Sequence, residues 1–184
     1  MQTWLWVVII IAAVVLVAAV VAAAMRTRRT RSLHERFGSE YDRVAADAPS
    51  RREAEAELRE REKRRDELDI RPLDARDRDR YRGRWQDLQA RFVDDPPGAV
   101  AEADVLIQEV MRARGYPVDD FDTRSADLSV DHPDVVENYR AGHGIAVAHA
   151  RGSAGTDELR LAVRHYRVLF ESLVQDPDRQ EVRS

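Results

Sequence analysis

The chain has 184 residues, 35% of them charged and 43% hydrophobic, and a formal net charge of −4. It contains no cysteine, which excludes a disulfide framework, a thiolate zinc site and a cysteine nucleophile. Lys63 is the only lysine beside 29 arginines, so no arginine is singled out as a ligand by its type alone. The length suits one small domain beyond an anchor and a linker.

Trp4 to Met25 is an uninterrupted run without a charge. At 1.5 Å per residue, about 20 apolar residues cross a hydrocarbon core of roughly 30 Å. In lipid, a helix satisfies every backbone polar group within its own segment. A transmembrane anchor is therefore predicted over residues 1–25. Trp4 and Trp6 stand at one end, where indoles favour the interface, and Arg26, Arg28, Arg29 and Arg31 crowd the other. A cleaved signal peptide carries a basic n-region and a shorter apolar stretch. No Lys or Arg precedes this run. The arginines stay cytoplasmic under the positive-inside bias, so the expected topology is N-terminus out and C-terminus in.

Residues 26–69 read as charged juxtamembrane and spacer helices. Leu33, Phe37, Tyr41 and Val44 fall at i, i+4, i+8 and i+11, an apolar helical stripe weakened by Gly38. After Pro49, Ser50 and Glu53 have capping-box spacing. From there to Leu68 nearly every residue is charged, with i,i+4 pairs such as Glu57–Arg61 and Glu60–Arg64. Leu58 and Leu68 are its only large apolar side chains. A helix polar all round buries little, so a solvated spacer is expected. The alternatives are a helix docked through a narrow Ala/Leu edge and a coiled coil, for which no sustained apolar seam is present.

Residues 70–175 read as a helical bundle. Pro72 stops the spacer, and Asp74 is placed to cap the next helix. Tyr81, Trp85, Leu88 and Phe92 recur at i, i+4, i+7 and i+11. Asp94-Asp95-Pro96-Pro97 ends that helix and starts another, whose stripe is Val100, Ala103, Leu106 or Ile107, Val110 and Met111. Gly115 fits the position just past its end. Tyr116 to Val130 is less regular, a short helix or an ordered loop. Asp131-His132-Pro133 starts a helix lined by Val136, Tyr139, His143 and Ala146 or Val147. Its Gly142 and Gly144 permit close helix approach at a cost in propensity. Thr156 is expected to cap the last helix, with Leu159, Ala162 or Val163, Tyr166, Leu169, Phe170 and Leu173 on its buried face. Residues 176–184 read as a flexible tail. No segment alternates with period two. The expected fold is all-α: an N-terminal transmembrane helix, a charged spacer helix and a small antiparallel helical bundle.

No catalytic, cofactor or metal residue is assigned. His132, His143, His149 and His165 contain no i,i+4 pair of the kind helical metal motifs use. Asp94–Asp95 and Asp119–Asp120 flank helix boundaries, where capping explains them. No nucleophile elbow, phosphate loop or dinucleotide fingerprint occurs, and no enzyme activity is expected. From Tyr81 to Ser184 there are 13 basic and 19 acidic residues, a net of −6, which repels nucleic acid; from Arg26 to Arg80 the net is +2. The connector from Arg114 to Pro133 carries residues that helix packing does not demand. Tyr116, Asp119, Asp120, Phe121, Asp127, Ser129, Asp131 and His132 are the candidate partner surface, because loops on a rigid scaffold often carry recognition. A packed connector with capping aspartates is the other reading.

Leu68-Asp69-Ile70-Arg71-Pro72-Leu73, Ala90-Arg91-Phe92-Val93-Asp94-Asp95-Pro96 and Ala126-Asp127-Leu128-Ser129-Val130-Asp131-His132-Pro133 resemble a family of uncharacterised bacterial single-pass membrane proteins from high-GC, actinobacterial-type genomes. The resemblance implies a bacterial membrane protein and no particular activity. The expected function is a membrane-tethered cytoplasmic protein-interaction module, an adaptor or scaffold. Its partners would be membrane lipid around the anchor and a second protein. The alternative is an exported helical binding domain facing the envelope.

Overall fold

The structure, a computed structural model, describes residues 2–175; of the first 29 residues it describes the side chains at positions 4, 7, 16–18, 20, 21, 24, 25, 27 and 28. The flexible tail expected at 176–184 lies outside the described residues. All eight regular elements among the described residues are α-helices: α1 (Gln2–Phe37), α2 (Ser39–Asp47), α3 (Arg51–Asp66), α4 (Ala75–Arg91), α5 (Pro96–Arg114), α6 (Phe121–Asp131), α7 (Pro133–Ala150) and α8 (Thr156–Val174).

α1 is one helix of 36 residues, about 54 Å long at 1.5 Å per residue. It runs unbroken through the boundary between the apolar stretch and the arginines. It stops at Gly38, whose φ of +50° is open to glycine and strained for most other residues. Trp4, Leu16, Val17, Val20, Val21 and Met25 are each at least half exposed. Among the described residues, no helix is long and apolar enough to cross a membrane.

The bundle core follows the predicted stripes. Tyr81, Trp85 and Leu88 of α4, Val100 to Met111 of α5, Val136 and Tyr139 of α7 and Leu159 to Val174 of α8 supply one buried cluster. The Trp85 and Phe170 rings stack at 4.5 Å, joining α4 to α8. A Cβ at Gly142 would lie 2.9 Å from two ring carbons of Tyr166, so α7 and α8 approach closely at this glycine. Gly144 has open space around it. Capping agrees with composition at Ser50, Asp74, Asp95 and Asp120, each of which accepts from the backbone N–H three residues on. α8 differs by one residue: Gly155 is the cap, and the Glu158 carboxylate accepts its N–H at 2.9 Å.

A second, smaller core lies beside the bundle. Leu33 and Phe37 of α1, Tyr41 and Val44 of α2 and Ala54 and Leu58 of α3 close on one another and on Val130 of α6. α6 joins the two cores, giving Leu128 to the bundle and Val130 to the smaller cluster.

α3, expected as a solvated spacer between the anchor and the bundle, is not free. α3 is docked on its Ala/Leu edge, with Ala54, Glu55, Leu58 and Arg61 buried. Leu58 has no exposed surface, and burying one such side chain contributes roughly 1.5–3 kcal/mol. The rest of the docking is polar, which apolar periodicity does not register.

Candidate functional site

The residues expected to flank a membrane fall within the range of α1. Trp4 is 70% exposed, and Arg28 and Arg31 are exposed. Arg31 forms an ion pair with Glu35 at 2.8 Å. The side chains of Trp6, Arg26 and Arg29 lie outside those described.

Most of the eight residues expected to face a partner are turned inward, as the packed-connector reading has it. Only Asp119 and Asp120 are exposed. Asp120 caps α6, accepting from the Thr123 N–H at 3.0 Å and the Thr123 hydroxyl at 2.8 Å; these bonds hold its carboxyl below the usual range. Tyr116, Asp127 and Ser129 are buried, and Phe121, Asp131 and His132 are partly buried. The cause is the arginine row of α3. Arg61, Arg64 and Arg65 stand on the side that meets α6, and α6 answers each of them. Arg61 donates to Ser129 Oγ at 3.1 Å, Arg64 to Asp127 Oδ1 at 2.7 Å, and Arg65 to both Asp131 oxygens at 2.8 and 2.9 Å. The Tyr116 hydroxyl donates to Asp131 Oδ2 at 2.5 Å. Burial, then this bond, raises the tyrosine's pKa.

Glu40 is the centre of the seam. Its side chain is 2% exposed and carries Arg61 at 2.7 Å, Arg43 at 2.8 Å and Arg140 at 2.7 Å. α2, α3 and α7 therefore meet on one carboxylate. Burial by itself raises a carboxyl pKa; here hydrogen bonds from Arg43 and Arg140, the charge of Arg140 and the bond from Arg61 outweigh it and lower Glu40 to about 2. It is an anion throughout the physiological range.

His132 closes the same seam where α6 passes into α7. Its Nδ1 lies 2.8 Å from Ser172 Oγ on α8 and its Nε2 3.4 Å from Arg114 on α5. Burial, and then the charge of Arg114, lower its pKa to about 4 against a smaller opposing effect of Asp131. The imidazole is neutral at neutral pH.

A separate polar group lies within the bundle. Phe121 stacks on His143 at 3.7 Å and lies 5.0 Å from the Tyr139 ring. The Tyr139 hydroxyl donates to Asp104 Oδ1 at 3.3 Å. Burial lowers the pKa of His143. His149 bonds the Ala154 carbonyl and His165 the Asn138 side chain, each at 2.8 Å. Among the described residues no three His, Asp or Glu side chains are grouped to hold a metal ion.

The seam holds α2 and α3 against α6 and α7. Composition pointed to its α6 half but not to Glu40, Arg61, Arg64, Arg65 or Arg140. One signal was present: Ala54, Leu58, Arg61 and Arg65 fall at i, i+4, i+7 and i+11, so arginines continue the short apolar stripe of α3.

No protein-family model matches the sequence, and no curated protein or solved structure matches it either.

Proposed function

We propose that the chain is a single-pass membrane protein whose N-terminal helix anchors a cytoplasmic helical domain, and that this domain is a protein-interaction module, an adaptor or scaffold. The observation that carries the reading is the two-ended character of α1. Its first part is uncharged from Trp4 to Met25, with exposed apolar side chains at Trp4, Leu16, Val17, Val20, Val21 and Met25. Its last part is built into the smaller core through Leu33 and Phe37. An apolar surface of that length in water is costly, and lipid is the solvent that suits it. The arginines from Arg26 to Arg31 favour a cytoplasmic domain. The bias to arginine over lysine fits translation from a GC-rich bacterial genome.

Docking of α3 changes the expected geometry of such a module. A free α3 would project the bundle by about 24 Å, at 1.5 Å for each of its 16 residues. Folded back on α2 and α6, it keeps the bundle close to the end of the anchor. A protein partner would meet the outer face of α8, where Leu161 is 45% and Val168 40% exposed two turns apart.

A reporter fused after Ser184, active on only one side of the membrane, tests the topology, and alkaline carbonate extraction tests the anchor. The expected result is a carbonate-resistant protein with a cytoplasmic signal. An external signal would favour an envelope-facing binding domain, and release by carbonate would overturn the anchor.

A further inference from the structure

The membrane-proximal core leaves a cleft of about 650 Å³ between the second half of α1 and the start of α3. The volume is within the roughly 300–1,000 Å³ of small-molecule sites. Thr27, Thr30, Arg31 and His34 line it from α1, and Arg51, Arg52 and Glu55 from α3. The α1 members fall at i, i+3, i+4 and i+7, one continuous stripe.

Three observations give the cleft a ligand chemistry. The first is charge. Three arginines line it against one carboxylate, and that carboxylate is already engaged. Glu55 accepts from Thr30 Oγ1 at 2.8 Å, Arg59 at 3.1 Å and the Tyr41 hydroxyl at 3.3 Å. Glu55 also pairs with Arg51 at 3.9 Å, so the lining keeps a net of two positive charges, three arginines less one carboxylate. Of the other nearby acids, Glu35 pairs with Arg31 at 2.8 Å and Asp42 lies 3.9 Å from His34; all four side chains are more than half exposed, so water screens both contacts.

The second is the position of Arg51 and Arg52. They occupy the first turn of α3, where the helix dipole favours anions and disfavours cations. Glu53 in the same turn and Glu55 at 3.9 Å from Arg51 offset part of that cost, and an anion in the cleft would offset more. Arg51 donates to the Tyr41 hydroxyl at 2.9 Å, which holds its guanidinium at the mouth of the cleft.

The third is depth. Thr27 is two residues beyond Met25 and His34 is nine beyond it. At 1.5 Å per residue the cleft begins about 3 Å past the apolar run and reaches about 14 Å past it. A headgroup layer is about 5–8 Å thick. The near half of the cleft therefore lies at headgroup level when the apolar run is in lipid.

We infer that this cleft is a binding site for the phosphate headgroup of an anionic phospholipid, held by Arg31, Arg51 and Arg52 with His34 as a hydrogen-bonding partner. The inference rests on the anchor reading for the source of the phosphate, while the phosphate chemistry itself rests on the cleft. Lipid would then stabilise the junction of α1 with α3 as well as surround the anchor, and the membrane-proximal core would be most stable in anionic bilayers.

The test uses the full chain in neutral detergent micelles, titrated with phosphatidylglycerol, phosphatidylcholine or inorganic phosphate, with binding read by native mass spectrometry and by the thermal midpoint. Saturable binding of phosphatidylglycerol is expected, with phosphatidylcholine and inorganic phosphate much weaker. Arg51→Gln with Arg52→Gln should weaken it by about thirtyfold, from roughly 1 kcal/mol for each charge at the surface. Arg51→Lys with Arg52→Lys should keep most of the affinity. Both pairs lie at exposed positions, and circular dichroism reports whether the helices are retained. Arg112→Gln with Arg164→Gln, remote on the bundle, should change nothing. Equal affinity in the glutamine variant, or equal binding of phosphatidylcholine, would overturn the site. Inorganic phosphate binding as tightly as the lipid would overturn the lipid assignment and leave a soluble-anion site. Arginine-dependent binding by a chain that carbonate strips from membranes would overturn the anchor and keep the cleft, so the two readings fail separately.

Discussion

Arg61 and Glu40 meet at 2.7 Å with side-chain exposures of 8% and 2%, and this contact joins α3, the most charged helix of the chain, to the interior. Arg61 reaches Ser129 of α6 as well, and Glu40 reaches Arg140 of α7. One carboxylate thus ties three helices together. An ion pair of this kind contributes little net stability over an apolar contact of the same shape, yet removing one partner leaves a buried charge uncompensated.

Glu40→Gln therefore has a large expected cost. The amide keeps the shape and loses the charge that three arginines share. Truncating one partner of a buried pair costs about 3–5 kcal/mol. Arg43 is 40% exposed and recovers water, so about 3 kcal/mol is expected. Chemical unfolding of the full chain in micelles checks this. A loss below 1 kcal/mol would mean that the carboxylate does not hold α3 in place.

The pH dependence comes from two groups in the seam. His132 falls from its ordinary 6.5 to about 4 on folding. Between those values the unfolded chain binds the extra proton, so stability is complete above pH 6.5 and is lost as pH falls toward 4. Glu40 falls from 4.5 to about 2, and its contribution is lost as pH falls through that lower window. Each group gives a slope of roughly 1.4 kcal/mol per pH unit inside its own window. Thermal midpoints measured from pH 8 to pH 3 should decline in two stages. His132→Gln should flatten the upper stage and leave the lower one. A single stage that His132→Gln does not alter would remove the histidine from the account.

Leu58→Ala separates a docked α3 from a solvated one. Leu58 is fully buried with Ala54 and Val130. Leucine to alanine in a core costs about 2–5 kcal/mol, the spread reflecting how far the site collapses. On a solvated spacer the same change would stay within about 0.5 kcal/mol. Val93→Ala is the internal comparison, at 82% exposure, and should be nearly silent.

The bundle was legible in the sequence because apolar side chains carry it. Tyr81, Trp85 and Leu88 and the stripe of α8 repeat at helical spacing, and the structure buries them. α3 was not legible by that route. Its partners are Asp127, Ser129 and Asp131, some 63 to 68 positions away in the chain. Local spacing offered Glu57 and Glu60 instead. The Glu57–Arg61 pair does form, but Arg64 turns to Asp127. Charge patterning reads neighbours on one helix, whereas long-range pairing depends on which helix arrives opposite. The same blindness made Asp127, Ser129 and Asp131 look like free connector residues.

The two glycines of α7 give the last prediction, since their backbone is the same and their surroundings differ. Gly to Ala within a helix is worth about 1 kcal/mol in propensity. At Gly144 nothing lies within 4 Å of the added carbon, so Gly144→Ala should raise stability by up to about 1 kcal/mol. At Gly142 the added carbon would lie 2.9 Å from Tyr166 Cδ1 and Cε1 and 3.3 Å from the Ala162 carbonyl oxygen. Tyr166 is fully buried, and its ring cannot swing clear without displacing the α7–α8 packing. Overpacking of this kind costs about 1–3 kcal/mol, which exceeds the propensity gain. Gly142→Ala should therefore lower the thermal midpoint while Gly144→Ala raises it. Equal stabilisation by both would show that α7 and α8 stand further apart than Tyr166 and Gly142 place them.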